Sequence, residues 1–382
     1  MQEFEIVIIG AGMGGASMAA CLVQAGVPGS GILLAEREAF PGYHTTGRSA
    51  ALYSVLYGNN TVKALTSASR AFYMQPPAGF ADHPLLTHRG CLYIADDDGL
   101  GELQEIEAGA RRVGETACWL TPQEVVAKVP ILRSGAFRHA LWEPDAKDID
   151  VHGLHQGYLR QARAGGVTLR TDADLRAVKR QDGGWIVTLG TEKVRASMLV
   201  NAAGAWADHV ARMAGVPAVG LMPLRRTAML LDPPSGADIQ QWPALINPGG
   251  GFYFKPDAGM ILASPADETP SPPCDAQADE WDIAVCVDRV QTAADLPVRR
   301  VTRSWAGLRS FVADRSPVLG RPSGHPDFFW FAGQGGYGIQ MAPALAQVGA
   351  AMLTGRPLPS SVTDLGVTAA DLSPDRCSGE LA

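Results

Sequence analysis

Much of what this chain can do is narrowed by what it lacks. Its six cysteines (Cys21, Cys91, Cys118, Cys274, Cys286 and Cys377) include no CxxC pair. Scattered thiols fit a reducing, cytoplasmic setting better than a disulfide framework. The eight histidines form no HExxH. His152 and His155 lie one helical turn apart with no third ligand near in sequence, so they read as surface helix residues and no metal is expected. No GxSxG elbow is present, which leaves nucleophilic hydrolase chemistry without support. No Lys/Arg block appears, and 32 basic against 39 acidic residues give a net charge of −7, arguing against a nucleic-acid partner. The apolar run 341–353 is too short to cross a bilayer and contains Pro343 and Gln347. The first residues, Met1 to Glu5, are acidic and lack the basic region of a signal peptide. The expectation is a cytoplasmic protein without a transmembrane segment.

What is present is a chain of 382 residues, 46% hydrophobic and 19% charged, enough to build a sizeable core in two or three domains. Glycine is over-represented, at 43 residues. Residues 5–9 (Glu-Ile-Val-Ile-Ile) read as a buried strand. They run into Gly10, Gly12, Gly14 and Gly15, then an Ala-rich helix over 16–25, then a second apolar strand, 32–34, ending at Glu36. This is GxGxxG between strand and helix. Gly10 permits the turn, Gly12 lets backbone approach a pyrophosphate at the helix N-terminus, and Gly15 lets helix pack on strand. Glu36 is placed to accept from ribose hydroxyls and would repel a 2′-phosphate. The spacing predicts dinucleotide binding and disfavours NADP.

The next segment favours FAD over NAD. Instead of further βα units, Arg37 leads into the small polar segment Thr45, Thr46, Gly47, Arg48, Ser49, Ala50 and Ala51, suited to lining an extended cofactor. Arg48 is placed to contact phosphate or to fix the loop, and it also reads as one half of a surface ion pair. A strand over 196–200 ends in Asn201-Ala202-Ala203-Gly204. Near the C-terminus, the strand 328–331 meets a second glycine-rich junction, Gly333-Gln334-Gly335-Gly336-Tyr337-Gly338-Ile339-Gln340, before a helix over 342–353. Two such junctions at opposite ends of the chain predict one cofactor domain built from both termini, with the second junction at the flavin ring.

These residues, with Lys255-Pro256-Asp257-Ala258-Gly259-Met260 and Trp305-Ala306-Gly307-Leu308-Arg309-Ser310-Phe311, resemble the D-amino-acid oxidase-like superfamily of FAD-dependent oxidoreductases. Within it, the chain looks closest to the bacterial FAD-dependent D-arginine dehydrogenases. The resemblance runs to about residue 360. It implies non-covalent FAD held by Gly10, Gly12, Gly14, Gly15, Glu36, Arg37, the stretch 45–51, Leu175 and the stretch 335–340. It also implies a substrate carboxylate between Arg226 and Arg309, flanked by Tyr57 and Tyr253, with Gly336 and Gln340 near the amine. A guanidinium pair is the expected device for a carboxylate. Arg226 beside Arg225 also reads as a structural arginine, and Tyr253 between Phe252 and Phe254 as a core aromatic. The implied reaction is oxidative deamination of a D-amino acid to a 2-oxo acid and ammonia, by hydride transfer from Cα to flavin N5, with a quinone or another electron acceptor.

Two positions depart from that pattern. Leu52 replaces a histidine beside the flavin, and Cys91 replaces the glutamate that pairs with a substrate guanidinium. An uncompensated cation in a desolvated pocket costs several kcal/mol, so neutral or apolar D-amino acids are expected over D-arginine. Asp82 is the nearest upstream acid that could substitute. The alternatives are a sarcosine- or glycine-type amine oxidase using oxygen, and a non-catalytic FAD- or NAD-binding protein. The covalent sarcosine oxidases attach FAD through a cysteine where this chain has Leu308-Arg309-Ser310. They place an oxygen-activating lysine near the position of Ile261, whose apolar character favours a dehydrogenase.

The expected fold is α/β: a Rossmann-like FAD-binding domain assembled from residues 1–79, 147–219 and 311–382, and a mixed-sheet α+β substrate domain from 80–146 and 220–310. Asp150 should cap a helix over 151–164. Residues 264–274 read as a Pro-rich loop, and the tail beyond about 365 as poorly ordered.

Overall fold

The computed structural model describes residues 1–133, 135–249 and 251–377. The strand Gln2–Ile9 pairs in parallel with Ile32–Ala35 on one side and Glu192–Asn201 on the other. Its apolar half is fully buried, as a parallel strand covered on both faces requires. Phe328–Ala332 extends the sheet in parallel beyond Glu192–Asn201. Thr168–Arg170 closes the far side, and the hairpin Leu175–Gln181/Gly184–Leu189 adds antiparallel strands. Strands from both chain ends therefore belong to one sheet, on either side of Glu192–Asn201. The helices Met13–Gln24, Val151–Ala164 and Ala342–Thr354 pack into one apolar layer on this sheet. Asp150 caps the second of them by accepting from the Gly153 N–H at 2.8 Å.

A nine-stranded sheet takes its strands from residues 91–143 and 222–311. The long antiparallel pair Met222–Leu231/Val301–Phe311 forms one end of it, and Cys91–Ala95 pairs with His139–Glu143 toward the other. The helix Glu280–Ala293 covers one face through Cys286 and Val290. A third, three-stranded sheet joins Leu52–Tyr53, Leu86–His88 and Lys147–Ile149. It ties together segments that the sequence pattern divided between two domains.

Three other expectations are corrected. The segment after residue 365 packs against the protein as far as Cys377, with Val367 and Leu372 buried and Arg376 bonded to Asp314; residues 378–382 lie outside the described residues. The Pro-rich segment contains a short strand, Thr269–Pro270, that pairs with Leu224 and Arg225. His155 is not a surface residue: it is buried, and its Nε2–H donates to the Ala11 carbonyl at 2.8 Å, pinning the helix Val151–Ala164 beneath the first glycine turn. Among the described residues, no group of His, Cys, Asp and Glu has the arrangement of a metal site, and no helix is long and apolar enough to cross a membrane.

Candidate active site

A cleft of about 1400 Å³ runs from the first glycine turn, past the second, to the face of the nine-stranded sheet. That exceeds the ~300–1,000 Å³ of an ordinary small-ligand pocket and suits a long ligand plus a second molecule. Gly10, Gly12, Gly14, Glu36, Arg37, Leu175, the stretch 45–51 except Gly47, and the whole of 335–340 line it. Gly15 and Gly47 do not; they act behind the wall. A Cβ on Gly15 would stand 1.8 Å from the Gly10 carbonyl oxygen, so the turn and the helix can touch only if residue 15 is glycine. The two glycine junctions meet in space, since a Cβ on Gly14 would lie 2.8 Å from Gln334 Nε2.

The cradle fits a dinucleotide. The Ala11 N–H donates to buried Glu36 at 2.9 Å, and the Met13 N–H to Thr46 Oγ1 at 2.9 Å. The polar segment is thereby clamped to the start of the helix. Arg37 lies over the Trp206 ring, 4.9 Å from its centroid, walling the far end. Arg48 holds the loop: it donates to the carbonyls of Ala276 and Ala306 at 2.8 and 2.9 Å and pairs with Asp275. The second junction remains in turns up to Gln340, and its helix starts only at Ala342.

At the other end of the cleft, Arg226 and Arg309 stand on adjacent antiparallel strands. Arg226 faces Gly307 and Leu224 faces Arg309, so the two arginines are diagonal neighbours on one face. Arg225 points to the opposite face and pairs with Asp282 at 2.8 Å; it is the structural member of the doublet. Arg309 is 8% exposed. It donates to the Tyr57 hydroxyl at 2.6 Å, while its Nη1 is buried without a hydrogen-bond acceptor. Burial alone would raise the Tyr57 phenol, but the Arg309 and Arg226 charges outweigh it and hold it below the usual tyrosine value. Burial opposes the charge on Arg309, and the neighbouring Tyr57 and Tyr337 hydroxyls more than restore it. A Cβ on Gly336 would fall 1.5 Å from Arg309 Nη2, so this glycine makes room for the guanidinium. Tyr253 lines the cleft, and Phe252 and Phe254, also at its wall, are buried members of the core cluster. A buried, under-satisfied guanidinium between tyrosines is suited to an incoming carboxylate.

Cys91 does not reach the cleft. It is fully buried with Leu56, Leu141 and Ala244, and burial pushes its thiol well up. Asp82 is exposed and off the cleft wall. The acid that sequence reasoning missed is Glu143, directly across the strand pair from Cys91. It accepts from Ser54 Oγ at 2.7 Å, Tyr93 OH at 3.0 Å and the Val55 N–H at 2.9 Å. These bonds spend it on holding the segment 54–56. The cation facing this end is Lys63, which is 6% exposed, lines the cleft and, among the described residues, has no ion-pair partner. Glu102, Glu105 and Arg112 are exposed around it.

Ile261 is buried in the core of the nine-stranded sheet and does not line the cleft. Its apolar character therefore carries no argument about oxygen. A second lysine on the wall is Lys255, which donates to Asp148 at 2.7 Å, opposite Leu52. Neither residue carried a spacing signal in the sequence.

Burial raises the Glu143 carboxyl to about 7, the four donors from Ser54, Tyr93, Leu56 and Val55 pulling against it. A raised folded-state value stabilises the protein below about 4.5 and loses that contribution as the pH rises through about 7. The melting temperature is expected to fall between pH 5 and pH 8 by the equivalent of about 2–4 kcal/mol from this group. In Glu143→Gln that part of the slope should vanish, and parallel melting scans of the two proteins check it.

A profile described as DAO, FAD dependent oxidoreductase, matches residues 5–352. FAD-dependent oxidoreductase domain-containing protein 1 of Bos taurus is 23% identical, over 92% of this chain and 81% of its own length. Human mitochondrial dimethylglycine dehydrogenase is 26% identical over 68% of this chain, which spans only 30% of that protein. Among solved structures, L-proline dehydrogenase from P. horikoshii superimposes with a TM-score of 0.80 at 21% identity, covering 99% of this chain and 98% of that one. Glycine oxidase from Geobacillus kaustophilus gives 0.81 at 18%, covering 97% and 99%. At these identities the structural likeness establishes the fold.

Proposed function

Because the chain belongs to the DAO family of FAD-dependent oxidoreductases, we propose that it deaminates neutral or apolar D-amino acids to 2-oxo acids and ammonia. The observation that carries this is the Arg226–Arg309–Tyr57 group facing the cleft, with one buried guanidinium nitrogen unbonded. FAD, when bound, supplies the two-electron acceptor for oxidation of the C–N bond. The protein's own work is to dock the carboxylate on the arginines and exclude water, and thereby to orient Cα. The site needs no strong base at Cα; the substrate amine has only to be neutral before oxidation, and the imine product hydrolyses in water. The D configuration rests on the resemblance to the D-arginine dehydrogenases. The neutral side chain rests on Lys63, a buried cation on the cleft wall whose charge opposes a guanidinium beside it.

No cysteine among the described residues lines the cleft, which supports non-covalent FAD. Free cysteines throughout fit a cytoplasmic location. A quinone or similar carrier is the proposed electron acceptor. The second reading, an oxygen-using amine oxidase like the glycine oxidases, is favoured by Lys255 on the cleft wall. Oxygen uptake set against dye reduction separates the two.

The test is anaerobic flavin bleaching across D- and L-forms of Met, Leu, Phe, Lys and Arg. D-Met, D-Leu or D-Phe should exceed D-Arg in kcat/KM by about tenfold or more, equivalent to ~1.4 kcal/mol. A maximum for D-Arg, or faster bleaching by the L-forms, overturns the assignment. No bleaching by any amine would leave a non-catalytic FAD-binding protein.

A further inference from the structure

The arginine dock is not empty of carboxylate. The side chain of Glu268 reaches into it from the Pro-rich segment. Its Oε1 lies 3.1 Å from Arg226 Nη2 and 3.7 Å from Arg309 Nη1. Arg315 holds the same carboxylate from the other side, at 2.7 and 3.0 Å. One carboxylate is thus shared by three guanidiniums, and these charges hold Glu268 below the usual glutamate value, against the effect of its partial burial.

The backbone explains how it arrives there. Asp267 accepts from the Thr227 N–H at 2.7 Å, and its carbonyl accepts from Arg226 Nε at 2.7 Å. Thr269 and Pro270 pair with the Arg225 and Leu224 strand. Farther along the segment, Asp275 bonds Arg48 and Tyr43 on the cofactor side. The strap therefore spans from the cofactor loop to the dock and presents Glu268 to the arginine pair. The side chain is one-third exposed, so it has room to leave, and its two-point pairing with Arg315 gives it a place to remain after it lets go of Arg226 and Arg309.

We propose that Glu268 is an internal stand-in for the substrate carboxylate. It accepts from Arg226 and stands within ion-pair range of Arg309 in the free enzyme, and is displaced toward Arg315 when the carboxylate of the substrate enters. It keeps two mutually repelling guanidiniums aligned without substrate, and sets affinity by competing for their donors. This rests on the reading of Arg226 and Arg309 as the carboxylate dock, and it makes Glu268 an affinity-determining residue rather than a catalytic one. Two carboxylates cannot share the same donors without repulsion, so removing the internal charge must tighten binding of an external one.

The test uses the holoenzyme with propionate as the carboxylate probe and propionamide as its uncharged isostere, with binding read by calorimetry. Glu268→Gln should tighten propionate about tenfold, equivalent to ~1.4 kcal/mol, and leave propionamide unmoved. Glu268→Asp, which keeps the charge on a shorter arm, should fall between and guards against misfolding of the first variant. With an oxidised amino acid, the effect should appear in KM rather than kcat. Equal or weaker propionate binding in both variants overturns the proposal, since Glu268 would then only brace the arginines. If Arg309→Met leaves propionate binding unchanged in wild type, the dock reading itself fails, and the proposal with it.

Discussion

Arg309→Met should lower kcat/KM by about 10²–10³-fold, equivalent to ~3–4 kcal/mol, within the range for removing one member of a buried charge pair. The physical case is specific to this arginine. It is almost wholly buried, it braces Tyr57, and its Nη1 has no acceptor. Methionine retains much of the apolar stem and removes every donor, so the loss should fall on carboxylate binding and on orientation of Cα together. KM should rise and kcat should drop. Arg225→Met is the informative control. Its partners are Asp282 and Asp279 on the reverse face of the same strand, so it should cost stability while leaving carboxylate affinity intact. If steady-state kinetics show the two variants to be alike, neither arginine docks substrate.

Gly15→Ala should yield protein that is colourless or insoluble. The new Cβ would meet the Gly10 carbonyl oxygen at 1.8 Å, with the Leu34 side chain 3.2 Å away. The closest obstacle is backbone in the turn itself, so the helix Met13–Gln24 must move off the strand Gln2–Ile9. Overpacking of this kind costs roughly 3 kcal/mol or more, or ~10 °C in melting temperature for a domain of this class. The shift also opens the cradle in which Ala11 meets Glu36 and Met13 meets Thr46. The flavin absorbance of purified protein and its melting curve measure both effects. Gly101→Ala provides the contrast. That helical glycine has open space around its Cβ position, and alanine there should be neutral or slightly stabilising.

The cofactor half of the site was legible in the chain because its chemistry is local. The turn from Gly10 to Gly15, the acid at Glu36 and the small residues of 45–51 are set by steric limits acting within a few residues, and such limits leave a spacing. The junction at 335–340 is equally local, and placing it beside the first needed only the inference that both ends build one domain. Asp150 as a helix cap was readable for the same reason. The substrate half was less so. Arg226 and Arg309 were found through a resemblance, and what separates Arg226 from Arg225 is the face of a strand within a sheet whose register runs to residue 311. Cys91 was placed on the pocket wall by analogy, yet its side chain turns into the cluster behind it.

The chain by itself determined the dinucleotide cradle, the joining of its two ends and the α/β class. Glycine spacing and apolar runs encode short-range geometry directly in residue order. Only the tertiary structure decided which charges meet. It set Glu143 across from Cys91, Lys63 on the cleft wall, Lys255 on Asp148 beside Leu52, and Glu268 on the arginine pair. Charges act through space over a few ångströms, between residues that the folded sheets bring together from far apart in the chain, and such partnerships leave no period for a sequence to display.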